Sequence, residues 1–418
     1  MSKPVFAISC PIDTYSGYGA RARDLVRSII KLDKYDVQIL SQRWGNTRFG
    51  YLADHNDTEL KNRIIPKLEG TPEYWMQITV PNEFQKIGKY NIGCTAGMET
   101  TLVSVPWVEG CNRMDLIITS SEHSKNVFKN TSYDAIHKQT KQKTTLKINT
   151  PIEVVFEGVD TNTYFEKTSS FDLSDIKESF CYLLVGHWMQ GDFGHDRKNV
   201  GYTIKSFLET FKSKPNPPAL ILKSSTVNSS LLDQERILNK IDGIRKSVKG
   251  SLPNIYIVHG DLSDSEMNEL YNHPKVKVMV SHTRGEGFGR PLLEFTTTGK
   301  PIIASGWSGH MDFLNKEDSV LLGGTLDNVH PSAVQKDMIL KEAKWFTADP
   351  IDTGKAYKNT FKKYKNYLVG GKKQRRKVLD NFTFDNMTAL VSDLFNNKIP
   401  EVPKQVELKL PELDLPKL

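Results

Sequence analysis

Apolar residues recur along this chain in two alternating rhythms. Runs such as Val5–Cys10, Val37–Leu40, Leu116–Thr119, Phe180–Val185, Ala219–Lys223, Ile255–Val258, Val276–Val280 and Pro301–Ala304 are short, apolar and mostly rich in β-branched residues, as buried strands are. Between them, Ala20–Leu32, Glu122–Phe128, Tyr202–Phe211, Leu232–Lys246 and Ser265–Tyr271 space their apolar positions three to four apart, which predicts helices with one buried face. Strands alternating with helices predict parallel sheets, because a parallel pair needs a crossover and a helix supplies it. The rhythm runs through twice, interrupted by the polar stretch at Lys167-Thr168-Ser169-Ser170. A chain of 418 residues is also long for a single hydrophobic core. The expected fold is α/β, with two Rossmann-like domains over 1–168 and 169–375 whose parallel sheets face a central cleft. Ligands of such sheets bind beyond the carboxyl ends of the strands, so each domain offers one wall.

Three segments depart from this rhythm. Between Lys355 and Lys377 there are ten Lys or Arg residues and no acid, interleaved with Tyr357, Phe361, Tyr364 and Leu368 at helical spacing. The apolar stripe reads as core and the lysines as a solvated face. Thr131–Thr150 is polar, carries Lys138, Lys141, Lys143 and Lys147 and lacks helical periodicity, as an exposed loop or hairpin does. The segment 399–418 sets four prolines among alternating leucines, which rules out a helix and predicts a flexible tail.

Composition narrows the class. Hydrophobic residues make up 38% and charged residues 25%, and no run approaches the roughly 18–20 apolar residues of a membrane span. The opening Met1–Ser9 is too short for a signal h-region and reads as a first strand, so the expected location is the cytoplasm. Cys10, Cys94, Cys111 and Cys181 are widely spaced, as reduced core residues are, and form neither a zinc nor a disulfide pattern. The net charge of +7 fits an anionic ligand without naming it.

The most informative stretch follows the strand at Val276–Val280. Glu286 and Glu294 bracket Gly287-Phe288-Gly289-Arg290-Pro291-Leu292-Leu293, at what reads as a strand-to-helix turn. Such a turn exposes backbone N–H donors at the positive end of a helix and so suits a phosphate. Eight residues span a little over two helical turns, which predicts both carboxylates on one side, as acceptors for sugar hydroxyls. Ser16-Gly17-Tyr18-Gly19, after the first strand, is a second glycine-rich turn. No cluster of Asp, His or Cys has metal-ligand spacing.

The run Thr283–Glu294, followed by Gly299-Lys300-Pro301 and Trp307-Ser308-Gly309-His310, resembles the donor site of the retaining GT-B enzymes of the glycosyltransferase group 1 family, in which seven residues separate two glutamates. Glu157-Gly158-Val159-Asp160 is similar to the family's interdomain segment. Glu99-Thr100, Cys111–Asp115 and Ser120-Ser121-Glu122-His123-Ser124 resemble its amino-terminal domain. The resemblance spans residues 1 to about 398. It implies a GT-B fold whose final helix, 376–398, crosses back to the first domain. It also implies a metal-independent transfer with no cofactor beyond a nucleotide-sugar co-substrate such as a UDP- or GDP-sugar.

Carried over residue by residue, the resemblance makes Arg197 and Lys198 the phosphate-binding cations. Glu294 becomes the acceptor for ribose hydroxyls and Glu286 the group facing the donor sugar. Gly17, Gly19, Gly287, Phe288, Gly289, Gly309 and His310 fall along the donor, with His259 and Leu262 near the nucleotide base. One departure stands out: the family's upstream Arg is replaced by Gly186-His187-Trp188 and an insertion, so Arg197 is the substitute from a different position. Many relatives also carry a histidine in the amino-terminal domain near the reacting sugar. The comparable run Asn91–Thr101 has none, and Glu99 is its polar candidate, either orienting or deprotonating the acceptor hydroxyl as a catalytic residue or pairing with a neighbouring arginine.

The acceptor is open between a saccharide or small molecule and DNA carrying hydroxymethylated pyrimidines, as in phage transferases of this architecture. A nonenzymatic sugar-nucleotide sensor is the third reading. Gln405–Leu410, in the tail, is an extended segment suited to docking on a protein partner.

Overall fold

A computed structural model describes residues 3–136, 142–188, 190–191, 193–226 and 230–401. The tail expectation, with its docking run at 405–410, therefore lies outside the described residues beyond Glu401. In the first domain β1 (Val5–Cys10), α1 (Gly17–Lys31) and β2 (Asp36–Ser41) form the opening crossover, followed by the one-turn helices α2 (Tyr51–Asp54) and α3 (Thr58–Lys61). Next come β3 (Tyr74–Ile78), β4 (Tyr90–Cys94), α4 (Val105–Cys111), β5 (Leu116–Thr119) and α5 (Glu122–Asn130). The antiparallel hairpin of β6 (Ser132–Ile136) and β7 (Lys143–Lys147) precedes β8 (Ile152–Val154) and bears out the loop-or-hairpin reading.

The second domain runs β9 (Cys181–Val185), α6 (Val200–Phe211), β10 (Ala219–Lys223), α7 (Leu231–Lys246), β11 (Ile255–Val258), α8 (Asp264–Asn272), β12 (Val276–Ser281), α9 (Arg290–Thr296), β13 (Ile302–Ser305) and β14 (Val320–Leu322). The hairpin β15 (Gly324–Asn328) and β16 (Lys344–Ala348) and the helices α10 (Pro350–Lys362) and α11 (Tyr364–Asn381) complete it, and α12 (Phe384–Asn397) follows.

Two six-stranded parallel sheets result, ordered β2-β1-β3-β4-β5-β8 and β11-β10-β9-β12-β13-β14. Both reverse direction of winding at their first strand, so β1/β3 and β9/β12 flank the switch points where open α/β sheets leave a crevice. Both faces of each sheet are covered. Along β1, Phe6, Ile8 and Cys10 enter the layer beneath α1, while Ala7 enters the opposite layer with Trp75 and Trp107, the period of two that a strand imposes. All four cysteines are buried and free.

The segment 376–398 is two helices, not one. A capping box at Thr383, whose side chain accepts from Asn386 N, restarts the helix, and α12 then packs Met387, Val391, Leu394 and Phe395 into the first domain's core beside α1. Tyr357, Phe361 and Tyr364 are core as expected, ringed around Tyr182 and Phe180. The lysines of α10 and α11 face outward. Gly371 lies against Lys300 and Gly370 against Asp318, so α11 covers the amino ends of β13 and β14. That end of the sheet points away from the crevice.

Candidate active site

The loops on either side of the second switch point carry the chemistry. After β9 the chain reaches Asp196-Arg197-Lys198-Asn199, a tight turn closed by Asn199 N donating to Asp196 O at 2.9 Å. Asp196 Oδ2 accepts from Val200 N and so caps α6, while Asn199 takes a left-handed conformation (φ 56°) that a short polar side chain tolerates. The turn thrusts both cations toward the loop after β12. There Lys198 Nζ meets Glu286 Oε1 at 2.5 Å, and Arg197 Nη1 lies 3.4 Å from Glu286 Oε2 and donates to Gly285 O at 3.0 Å.

Glu286 is held from behind. Its N–H donates to Ser308 Oγ and its carbonyl accepts from Gly309 N, both at 2.9 Å. The loop then enters α9 through Gly289 in the left-handed region (φ 100°) with Pro291 in the first turn. Helix therefore begins only at Arg290. The two helical turns expected between the glutamates are absent: Glu286 sits on the loop and only Glu294 on the helix, and it is the fold of the loop that sets where Glu286 points.

Burial alone would raise the Glu286 carboxyl, but Lys198 and Arg197 overrule it and hold its pKa at about 2. Glu294 is the reverse case. Burial pushes it up to about 7 against the pull of Arg290, whose Nε donates to Glu294 Oε1 at 3.0 Å. The same guanidinium donates through Nη1 to Asp24 of α1 at 2.5 Å and lies 3.8 Å from Glu157, so three carboxylates share one cation. Tyr271 donates to Glu294 Oε2 at 3.3 Å.

The two domains meet over this site. Ser120 and Ser121 both donate to Gly287 O, at 3.2 and 2.6 Å, and Asp312 Oδ2 accepts from Glu122 N at 2.9 Å, capping α5 from the other domain. Glu99 lies 3.8 Å from Arg197 across the crevice.

Residues 248–338 match the family model described as glycosyl transferases group 1. The chain is a glycosyltransferase. The transferase shares its fold with sucrose-phosphate synthase from Thermosynechococcus elongatus at a TM-score of 0.61, with 11% identity over 94% of this chain and 98% of that one. Anabaena HepE, solved in complex with UDP-glucose, gives a TM-score of 0.57 at 11% identity, covering 94% and 99%. A glycosyltransferase from Rickettsia africae gives 0.57 at 14% identity, covering 95% and 98%. No curated protein sequence matches. The architecture of the transferase is GT-B, two facing domains with parallel sheets.

The structure gathers some of the transferase's expected site residues and separates others. Glu286, Arg197, Lys198, Glu99, Gly287, Gly289, Gly309 and His310 form one cluster: a Cβ on Gly289 would touch His310 and Glu286, and one on Gly309 would strike Gly287 O. Phe288 turns its ring into the core against Phe313 and leaves only its backbone to the loop. His259 and Leu262 lie beyond β11, three strands from β12 or roughly 14 Å at 4.8 Å per strand. His259 Nε2 is 3.2 Å from Asp233 Oδ2, and Leu262 packs on the core. Gly17 is open to its surroundings, whereas a Cβ on Gly19 would collide with Thr14 O. Trp188 is core, with Lys240 over its ring, and His187 pairs with Ser225. Among the described residues, no three His, Cys, Asp or Glu gather as metal ligands, and no helix is long and apolar enough to cross a membrane.

Two features escaped the sequence reading. Tyr18 stacks on Trp44 at 3.9 Å and bonds Thr95 Oγ1 at 2.9 Å, just past the carboxyl end of β4. His123, within the quoted run Ser120–Ser124, packs its ring against Trp307 of the other domain.

The opposed shifts of the two glutamates have testable signs. Glu294 has a folded pKa raised from 4.5 to about 7, so its contribution to stability is intact below pH 4.5 and is lost as pH rises through 7. Glu294→Gln removes that ionisation. The variant should gain on the order of 3 kcal/mol over wild type above pH 7 and nothing near pH 4.5. Urea denaturation at intervals between these values checks it, and a difference independent of pH would contradict it.

Proposed function

We propose that the chain is a retaining, metal-independent transferase that moves a sugar from a nucleoside diphosphate to a hydroxyl of a saccharide or small-molecule acceptor, with the nucleotide sugar as co-substrate and no further cofactor. The carrying observation is the buried Lys198 and Arg197 fixed on Glu286 at the second switch point. Departure of the diphosphate puts growing negative charge on its oxygens, and cations already oriented there stabilise it without reorganising. An arginine fork and a compact ammonium supply the charge that a metal would otherwise supply.

The anomeric C–O bond breaks with its electron pair leaving on the diphosphate. The acceptor oxygen forms the new C–O bond on the same face, and its proton passes to the departing phosphate oxygen. Ser120, Ser121 and Asp312 hold the domains together over the reaction and exclude water. The Tyr18–Trp44 stack favours a saccharide acceptor, since sugar rings rest on aromatic faces. The basic face of α11 lies at the far ends of β13 and β14, away from Glu286, so it lends no support to the DNA-acceptor reading.

Incubation with UDP-glucose, UDP-galactose, UDP-N-acetylglucosamine and GDP-mannose should give slow donor hydrolysis, with the α-anomer appearing first by NMR and no loss in EDTA. Binding without turnover would instead support a sugar-nucleotide sensor. An initial β-anomer would overturn retention, and arrest by EDTA would overturn metal independence.

A further inference from the structure

Charge is spread unevenly along this chain. Of its 56 Lys and Arg residues, ten fall between Lys355 and Lys377, where there is no Asp or Glu. The other 46 are set against 49 acids, so the segment carries +10 and everything outside it sums to −3. The excess is therefore local, and the structure puts it on α10 and α11, the latter covering the amino ends of β13 and β14 away from Glu286. Lys358, Lys362, Lys363, Lys365, Lys372 and Lys373 are exposed, and none has an ion-pair partner among the described residues. Lys277 adds to them from β12, its Nζ 5.7 Å from the centre of the Tyr364 ring.

Helix stability does not account for this placement. Lys362, Lys363 and Lys365 crowd the amino end of α11, where the helix dipole disfavours cations and no acid stands in the first turn. Lys358 and Lys362, Lys372 and Arg376, and Lys373 and Lys377 are like-charge pairs one turn apart, which destabilises a helix. An anionic partner relieves charges so placed. Arg375 and Arg376, the side chains best shaped to fork onto a single phosphate group, already face Glu166 and Asp380. What is left on one side of α11 is a stripe of Lys365, Lys372 and Lys373, with Val369 57% exposed in its middle. The rings that could stack on bases, Tyr357, Phe361 and Tyr364, are packed against the core. Point charges around an exposed aliphatic side chain match a lipid surface better than a nucleic-acid strand.

We propose that this pole of the second domain seats the protein on an anionic lipid surface, with the crevice turned away from the lipid. Glu286 follows the carboxyl end of β12, whereas the lysines stand at the opposite ends of the neighbouring strands. Held this way, the loops around Glu286 face the solution, and donor and acceptor enter without crossing the surface. The inference uses none of the residues of the transfer site and so stands or falls apart from the reaction.

The test is co-sedimentation of the full chain with vesicles of phosphatidylcholine containing roughly 30% phosphatidylglycerol, against vesicles of phosphatidylcholine alone. At about 0.1 M salt the protein should bind the anionic vesicles about 100-fold more tightly or better, and most of that preference should vanish at about 0.5 M. Lys362→Gln/Lys365→Gln/Lys372→Gln/Lys373→Gln should lower the partition coefficient by about 10²- to 10³-fold, at about 5-fold per lysine, with an unchanged circular dichroism spectrum and unchanged donor hydrolysis. The same change of charge at Lys61, Lys67, Lys86 and Lys129, exposed positions of the first domain, should lower it by less than about 10-fold. Equal binding to both kinds of vesicle, no binding to the anionic ones at about 0.1 M salt, or an equal loss in the first-domain variant would each overturn the proposal. Tighter binding to a short DNA duplex than to the anionic vesicles at the same salt, abolished in the α11 variant, would assign the pole to nucleic acid and overturn it as well.

Discussion

Replacing Lys198 with alanine should lower kcat/KM for sugar transfer by about 10²- to 10³-fold, the usual cost of removing one donor aimed at developing charge. The substitution has a second consequence that separates positioning from stability. Lys198 and Glu286 form a buried pair at 2.5 Å, and removing one partner of such a pair costs about 3–5 kcal/mol because the other is left charged and dry. Arg197, at 3.4 Å, covers part of that deficit. Glu286 should then titrate well above its wild-type value of about 2. Lys198→Ala/Glu286→Gln should recover most of the lost stability and none of the activity. Initial rates with a saturating donor, together with urea unfolding of the two variants, decide the matter. Wild-type kinetics in Lys198→Ala would remove the charge-stabilising role altogether.

Gly287→Ala should be nearly as damaging, for a steric reason. A Cβ there would be driven into the carbonyl oxygen of Ala96, and the backbone on both sides is pinned, with Gly287 O accepting from Ser120 and Ser121. Neither side is the flexible end of a side chain. The collision is relieved by moving the domains apart, which separates Glu99 from Arg197 and lets water reach the Lys198–Arg197–Glu286 cluster. Transfer should fall by about 10²-fold, the scale of a misplacement of roughly 1 Å. Small-angle scattering should show a larger radius of gyration with an unchanged circular dichroism spectrum. Full activity with an unaltered radius would show that this closed contact is dispensable.

How far the sequence spoke depended on which physical signal each element carries. β1, β5 and β9 to β13 announce themselves as short apolar runs because both their faces are covered. β4 does not: it reads Tyr-Asn-Ile-Gly-Cys, with Asn91 spent on the N–H groups of Ile87 and Gly88 and Gly93 leaving room for the ring of Phe84. Tertiary partners, not propensity, make it a strand. In the site, Glu286, Lys198 and Arg197 were legible because chemistry fixes their type. The spacing argument for the glutamates was not sound, since a left-handed Gly289 delays the helix by several residues. His123 was hidden for a different reason. Its packing against Trp307 of the other domain is made by the approach of the two domains and by no local pattern.

Arg290 ties two equilibria into one. Its guanidinium spans Asp24 of α1 and Glu294 of its own helix, so any ligand that draws on Glu294 also alters the hold on the opposite domain. With Glu294 turned to a ribose, as proposed, Arg290 is left to Asp24 and Glu157, and the grip across the crevice strengthens. Linkage is reciprocal, so a closed crevice must bind the nucleoside more tightly by the same factor. On that proposal donor affinity is a property of both domains, and truncating the first should weaken nucleotide binding to the second.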